Sequence, residues 1–356
     1  MSTPNLSSIN PARLEQIRDF LAGTRFKEAE LHPLAGDASF RRYIRLHLNG
    51  ESAMLMDAPP DKEDVRPYIA VAEYLSRHGY SAPVIHARHE TGGLLLLEDL
   101  GDDSFTSVLK KCAAADKEVM EGELYAAAID VLAEWHDAGR GFTKPEQLVL
   151  PTYNDTLLMK EVSLFTDWYL PQVMGKEKAA LLAPEYLAIW TKILSHAGLS
   201  TSVWVHRDYH ADNLMWLPDR DGTQSVGLLD FQDGVYGDAA YDMVSLLEDA
   251  RRDVAPSLAA AMLTRYISAT GVNGKDFRTA YAVLGAQRNC KIIGIFSRLA
   301  VRDNKFSYLN FLPRVWGHLE CDLEHPAMAE LKQWMDRHIA RDQRGVIAVK
   351  QQLQTA

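Results

Sequence analysis

The chain has 356 residues, 47% of them hydrophobic and 24% charged, with a formal net charge of −10. That length is enough for two lobes with their own cores, and the acidic balance argues against nucleic acid as the main partner, because neutralising phosphates needs clustered Lys and Arg. Cys112, Cys290 and Cys321 are an odd number at wide spacings, which suggests buried thiols in a reducing compartment and neither a disulfide framework nor a zinc site. The polar amino terminus lacks the apolar segment of a signal peptide, and no uncharged run approaches a membrane span, so a cytoplasmic protein without a membrane partner is expected.

Asn10-Pro11 is an N-cap followed by proline at the first helical position, and Leu14, Ile17, Phe20 and Leu21 then recur at helical spacing before Gly23. Residues 27 to 57 give three strand-like pieces broken at Gly36-Asp37 and at Asn49-Gly50, the second a strong hairpin turn, so a small antiparallel sheet is predicted. Leu94 to Leu97 reads as a buried strand with Glu98-Asp99-Leu100-Gly101 as its polar exit. After residue 103 the chain turns helical. Leu124, Ala128, Val131, Leu132 and Trp135 form one apolar stripe ending at His136. Further on, Glu161 and Asp167 flank the aromatic residues Phe165, Trp168 and Tyr169, a composition that suits either a sugar platform or a helix face packed on the core.

Residues 203 to 233 carry most of the chemistry. His206, Asp208 and Asn213 follow the apolar run Val203-Trp204-Val205 in the spacing H-x-D-x-x-x-x-N, and Asp230-Phe231-Gln232 closes the apolar run Val226 to Leu229. Pairing of these two runs as neighbouring strands, joined through the turn Asp219-Arg220-Asp221-Gly222, would bring Asp208, Asn213 and Asp230 together. Phosphoryl transfer from a nucleotide needs this inventory: a carboxylate to accept the acceptor's proton, and oxygen donors to hold a hard cation such as Mg2+ on the phosphates. The kinase catalytic loop H-R-D-x-x-x-x-N is matched literally, while D-F-G becomes D-F-Q. Residues 238 to 249 then read as a helix with Asp242 in its first turn, followed by Arg251 and Arg252, either a solvated helix end or a contact for a carboxylate or phosphate. The segments from Pro256 onward are helical and carry no recognisable chemistry.

With HRDYHADN, LLDFQDG, Gly237-Asp238 and Tyr241-Asp242 in this order, the chain resembles the aminoglycoside phosphotransferase and choline kinase-like family, relatives of protein kinases that phosphorylate small molecules. The strings GDASFRRYIRL and DFQDGVYGDAAYDMVSLLEDARRDV are similar, more narrowly, to the anomeric N-acetylmuramate/N-acetylglucosamine kinases of peptidoglycan recycling. The resemblance implies a two-lobed, protein-kinase-like α+β fold: residues 1–98 as a nucleotide-binding lobe with a small antiparallel sheet, and residues 99–356 as a mainly helical catalytic and substrate-binding lobe. It implies ATP as donor, Mg2+ as cofactor and an amino sugar as acceptor. Aminoglycoside, choline and homoserine kinases are rivals within the class, and a non-catalytic nucleotide-binding pseudokinase is the rival outside it.

Under this resemblance Asp208 is the catalytic base with His206 bracing its loop, Asn213 and Asp230 hold the metal, and Asp242 is structural. Gly36 and Ser39 fall where a phosphate-covering loop belongs, although the chain has no G-x-G-x-x-G, and Glu98 and Leu100 fall at the hinge that receives adenine through its backbone. Glu161, Asp167, Trp168 and Arg251 are candidates for the acceptor. The sharpest departure concerns the phosphate-binding lysine of the third strand, which here reads Ala53-Met54-Leu55-Met56-Asp57. Arg41, Arg42, Arg45 and Lys62 are the nearby cations, and Arg42 is expected among the nucleotide contacts. On a strand, Arg41 and Arg45 share one face and Arg42 takes the other.

Overall fold

The computed structural model describes residue 6 and residues 9–34, 40–136 and 150–345. Packing divides the chain into two compact units, residues 1–128 with 211–233 and residues 129–210 with 234–356. Residues 99–128, expected in the second lobe, are thus kept with the sheet. Among the described residues no helix is long and apolar enough to cross a membrane.

The first unit opens with α1 (Pro11–Ala22), where the Asn10 side chain accepts from the Ala12 amide at 2.9 Å. Five antiparallel strands follow: β1 (Glu30–Pro33), β2 (Arg42–Leu48), β3 (Glu51–Asp57), β4 (Ile85–His89) and β5 (Leu94–Leu97), in the order β1-β2-β3-β5-β4. Asn49 and Gly50 turn β2 into β3 with φ of 51° and 84°, the backbone that a tight hairpin turn requires. Strand alternation then sorts the side chains. Ile44, Leu46, Ala53, Leu55, Leu94 and Leu96 join Ile17, Leu21 and Phe26 in one core under α1, while Tyr43, Arg45, Met54 and Leu97 face a cavity. Helices α2 (Arg66–Arg77) and α3 (Phe105–Lys111) belong to this unit, and α4 (Lys117–His136) leads the chain out of it.

The second unit is mainly helical. It contains α5 (Asp155–Leu164), a π-helical turn Phe165–Tyr169, α6 (Leu170–Met174) and α7 (Lys176–His196), and then the two-stranded pair of β6 (Val203–Val205) with β9 (Val235–Gly237). The hairpin of β7 (Leu214–Trp216) and β8 (Val226–Leu228), between them in sequence, returns to the first unit. The expected pairing of the 203–205 run with the 226–229 run therefore does not form. Residues 214–216, directly after Asn213, make the partner strand for β8, and Val203–Val205 pairs further along the chain.

Helices α8 (Ala240–Leu247), α9 (Pro256–Thr270), α10 (Gly274–Asp303), α11 (Leu312–Asp322) and α12 (Ala329–His338) complete the unit. The long α10 buries polar as well as apolar side chains, among them Gln287, Arg288 and Asn289. A Cβ at Gly294 would lie 2.4 Å from the Leu164 carbonyl carbon, so this glycine is what lets α10 approach the end of α5. The stripe on α4 is buried as its spacing predicts, and His136 at its end bonds the Tyr266 hydroxyl at 2.9 Å and the Trp204 carbonyl at 3.3 Å. Burial lowers its pKa to about 3, against the opposing effect of the Trp204 carbonyl, so this histidine is a neutral part of the core.

Candidate active site

In the first unit a cavity of about 470 Å³ opens beside the sheet. At one end lie Asn213 and Asp230, and at the other the exit of β5, with Glu98, Asp99, Leu100 and Gly101. The two polar donors are tied by the β7–β8 hairpin, where the Leu229 amide donates to the Asn213 carbonyl at 3.0 Å. Asp230 has φ of 59°, a left-handed conformation that is costly for a non-glycine residue. Beyond this turn Phe231 is buried, its ring 4.8 Å from that of Tyr68 on α2, while the Asp230 carboxylate faces the cavity and accepts from Gln232 Nε2 at 2.8 Å.

An amide and a carboxylate opening on one cavity are hard oxygen donors, a set that suits Mg2+, which keeps waters and takes its remaining ligands from phosphates. Among the described residues no group of three or more His, Cys, Asp or Glu gathers as a metal site.

The exit of β5 is braced from outside. Glu98 donates its amide to the Val84 carbonyl at 2.8 Å, and its carboxylate accepts from Arg220 at 2.6 Å, while Arg220 also donates to the Ser81 hydroxyl at 2.8 Å. Gly227 lies beneath Leu100, and a Cβ there would meet Leu100 Cδ1 and Met215 Cβ, each at 2.9 Å. Glu98 and Leu100 thus both line the cavity, with the Glu98 carboxylate already engaged.

Arg42 lies elsewhere. It shares a face with Ile44 and Leu46, and its guanidinium pairs at 2.6 Å with the buried Asp57, which also pairs with Arg13 of α1 at 2.9 Å. Strand alternation instead delivers Arg41 and Arg45, along with Tyr43, to the cavity. Tyr43 and Tyr68 were not singled out from the sequence; the position of Tyr43 on the same strand face as Arg45 was the available signal. Burial pushes the Tyr43 phenol up to about 12, so it stays a proton donor. Gly36 and Ser39 lie outside the described residues.

In the second unit the loop after β6 carries His206, Arg207 and Asp208. Arg207 has φ of 74°, and its backbone is clamped: the Asp242 carboxylate accepts from the amides of His206 at 2.7 Å and Arg207 at 2.9 Å, and the Ser245 hydroxyl donates to the Arg207 carbonyl at 3.4 Å. His206 is buried, with its ring 5.7 Å from that of Tyr209 and 5.8 Å from that of Trp204. Asp208 is half-buried. Burial alone would raise its pKa, but the charges of His210, Lys291, His206 and Arg288 outweigh it and hold the carboxyl below its ordinary value. Asp242 goes the other way, pushed up to about 7 by burial despite the two amides it accepts from.

Glu161 is placed in the core of this network. It is buried, and it accepts from Arg207 at 2.6 Å, from Lys291 at 2.9 Å, from Gln287 at 3.2 Å and from the Tyr153 hydroxyl. The expected acceptor contact is therefore an internal counter-ion to the motif arginine. On the adjoining π-helical turn Phe165 and Tyr169 are buried, Asp167 is exposed and Trp168 is half-buried, so the aromatic stretch divides between core and surface. Arg251 is exposed, and its guanidinium lies 3.1 Å from His210 Nε2.

Residues 30–281 match the phosphotransferase enzyme family. The chain belongs to that family. It is 38% identical over 355 residues to the N-acetylmuramate/N-acetylglucosamine kinase of Caulobacter vibrioides, covering 90% of this chain and 95% of the relative. It is 38% identical over 316 residues to the protein of the same name from Pseudomonas aeruginosa, covering 85% and 87%. Among solved structures, the streptomycin-ATP ternary complex of APH(2″)-IIa superposes with a TM-score of 0.53 at 15% identity, over 90% of this chain and 97% of that one. The phosphotransferase thus has the protein-kinase-like α+β fold.

Proposed function

We propose that this phosphotransferase moves the γ-phosphoryl group of ATP to the anomeric hydroxyl of N-acetylmuramate or N-acetylglucosamine and releases the sugar 1-phosphate. The observation that carries this reading is 38% identity, along nearly the whole chain, to relatives named for these sugars. Residues 1–98 serve as the nucleotide-binding lobe, with residues 99–128 and 211–233 packed in the same unit, and the rest of residues 99–356 as the catalytic and substrate-binding lobe. The reaction draws on cytoplasmic ATP.

In this reading Asp208 accepts the proton of the acceptor hydroxyl. Its carboxyl is kept ionised by the surrounding cations, as a base at neutral pH must be. His206 and Asp242 hold the loop in place. Asn213 and Asp230 would hold magnesium, which when bound neutralises charge on the transferring phosphates. The hinge backbone at Glu98 and Leu100 receives the base of the nucleotide. On the acceptor side, exposed Asp167 and Arg251 and half-buried Trp168 are the candidate contacts. The loose transition state leaves positioning and electrostatics to supply most of the rate.

The test is phosphorus NMR of the protein with ATP, magnesium and a panel of sugars, choline, homoserine and aminoglycosides. An anomeric sugar phosphate is expected. Transfer to an amine-bearing alcohol alone, or no transfer to any acceptor, overturns the reading.

A further inference from the structure

The third strand of the sheet puts Met54 and Met56 where kinases carry the lysine that holds the phosphates, yet a polyphosphate still needs a cation. Three arginines on or beside β2 are near enough in sequence, and the structure gives each a different place. Arg42 is spent on the far face of the sheet, against Asp57. Arg45 sits directly across from Met54 in the β2–β3 register, but its guanidinium reaches along the cavity to the hinge. There it pairs with Asp99 at 2.7 Å and Asp102 at 2.8 Å, and donates to the Gly101 carbonyl at 3.1 Å. Arg41 takes the opposite end, with its guanidinium 3.3 Å from Asp230 Oδ1.

The cavity therefore has a cation at each end. Arg45 is bound into the hinge loop by two carboxylates and a carbonyl, and its departure would leave Asp99 buried and uncompensated. Arg41 meets a carboxylate that is 44% exposed, at a distance longer than the 2.7–2.9 Å or so of a tight charge-assisted bond. Arg41 thus stands in the cavity beside Asp230, at the end away from Asp99 and Gly101.

We propose that Arg41 is the cation that grips the nucleotide's polyphosphate in place of the strand lysine, and that Arg45 is a positioning residue that fixes the hinge loop. The inference rests on the ATP-dependent reading of the site. It also assigns the two ends: phosphates at Arg41 and Asp230, base at Asp99 to Gly101.

Calorimetric titration of wild type, Arg41→Ala, Arg41→Lys, Arg41→Gln and Arg45→Ala with Mg-ATP, ADP, AMP and adenosine tests it, with thermal unfolding as a check on folding. Arg41→Ala is expected to lose at least about tenfold in affinity for ATP. Its affinity for adenosine should stay within about twofold of wild type. Arg41→Lys should recover part of the loss, and Arg45→Ala should weaken adenosine and ATP alike. Arg41→Gln gives the same comparison where the alanine variant fails to unfold cooperatively. Unchanged ATP affinity in the neutral Arg41 variants, or equal loss for ATP and adenosine, overturns the proposal. Failure of the wild type to bind ATP at all sinks the functional reading and the proposal with it.

Discussion

Asp242 holds two consecutive amides of the loop that carries Asp208, and the two carboxylates shift in opposite senses: burial raises Asp242, whereas at Asp208 the charges around it, Lys291 among them, outweigh burial. Asp208→Asn is expected to keep the fold and nucleotide binding while turnover falls by about 10² or more, since only the proton acceptor is lost. Wild-type turnover in that variant would remove Asp208 from the mechanism. Asp242→Ala leaves the buried His206 amide and the part-buried Arg207 amide without an acceptor, about 1–3 kcal/mol for the buried one, and should show chiefly as a lowered unfolding midpoint in thermal melts. By contrast Asp230→Ala should abolish magnesium-dependent ATP binding with little change in the midpoint; equal loss of metal-dependent binding in both variants would contradict this division. Asp208, Asp230 and Asp242 could be singled out in the sequence because their motifs are local in the chain. Glu161 was noticed for its aromatic neighbours but its partners were not, because Arg207 and Lys291 reach it from 46 and 130 residues away. Spacing along the chain carries no signal of such a meeting.

Elements were legible wherever periodicity and turn chemistry agreed: the capped first helix, the Asn49-Gly50 hairpin, the buried Leu94 to Leu97 strand and the α4 stripe. Strand pairing after β6 was not, because the three residues Leu214–Trp216 are too short to stand out as a strand beside the apolar runs around them. The π-helical turn at Phe165–Tyr169 is another feature that composition cannot announce. Gly294 explains why α10 lies so close to the end of α5. Gly294→Ala puts a methyl against the Leu164 backbone, which cannot swing aside, so a loss of about 1–3 kcal/mol is expected in denaturant titrations. An unchanged midpoint would mean that the two helices can separate freely.

Across the whole chain, burial loads the second unit with carboxylates that retain protons. Glu248 is pushed up to about 7 by burial and Asp322 is raised beside it, with Asn289 Nδ2 donating to both at 2.8 and 3.0 Å. A raised folded pKa contributes stability that is complete below the unfolded value near 4.3 and is lost as pH climbs through about 7. His136, His210 and His318, all lowered by burial, act in the opposite sense over much of that range, so the wild-type profile is a difference of the two. Glu248→Gln removes one side of it. Relative to wild type, the variant should gain stability steadily from about pH 4.5 to 7 and level off above, measured by urea midpoints. A pH-independent difference would show that the acid pair does not titrate in that window.

The first unit takes its hairpin from residues 211–233, after the chain has left for the second unit and come back. Its surroundings are prepared in advance: the Ser81 carbonyl accepts from the Leu228 amide at 2.9 Å, and the Asp103 carbonyl from the Trp216 amide at 2.7 Å. During synthesis, then, a nascent sheet would emerge from the ribosome with its last partner still roughly a hundred residues from being made, a wait of about 5–20 s at ordinary elongation rates. Through that interval water must satisfy the carbonyls that the hairpin later covers and the apolar surface beneath it stays exposed, so residues 1–128 expressed alone are expected to aggregate more readily than the full chain.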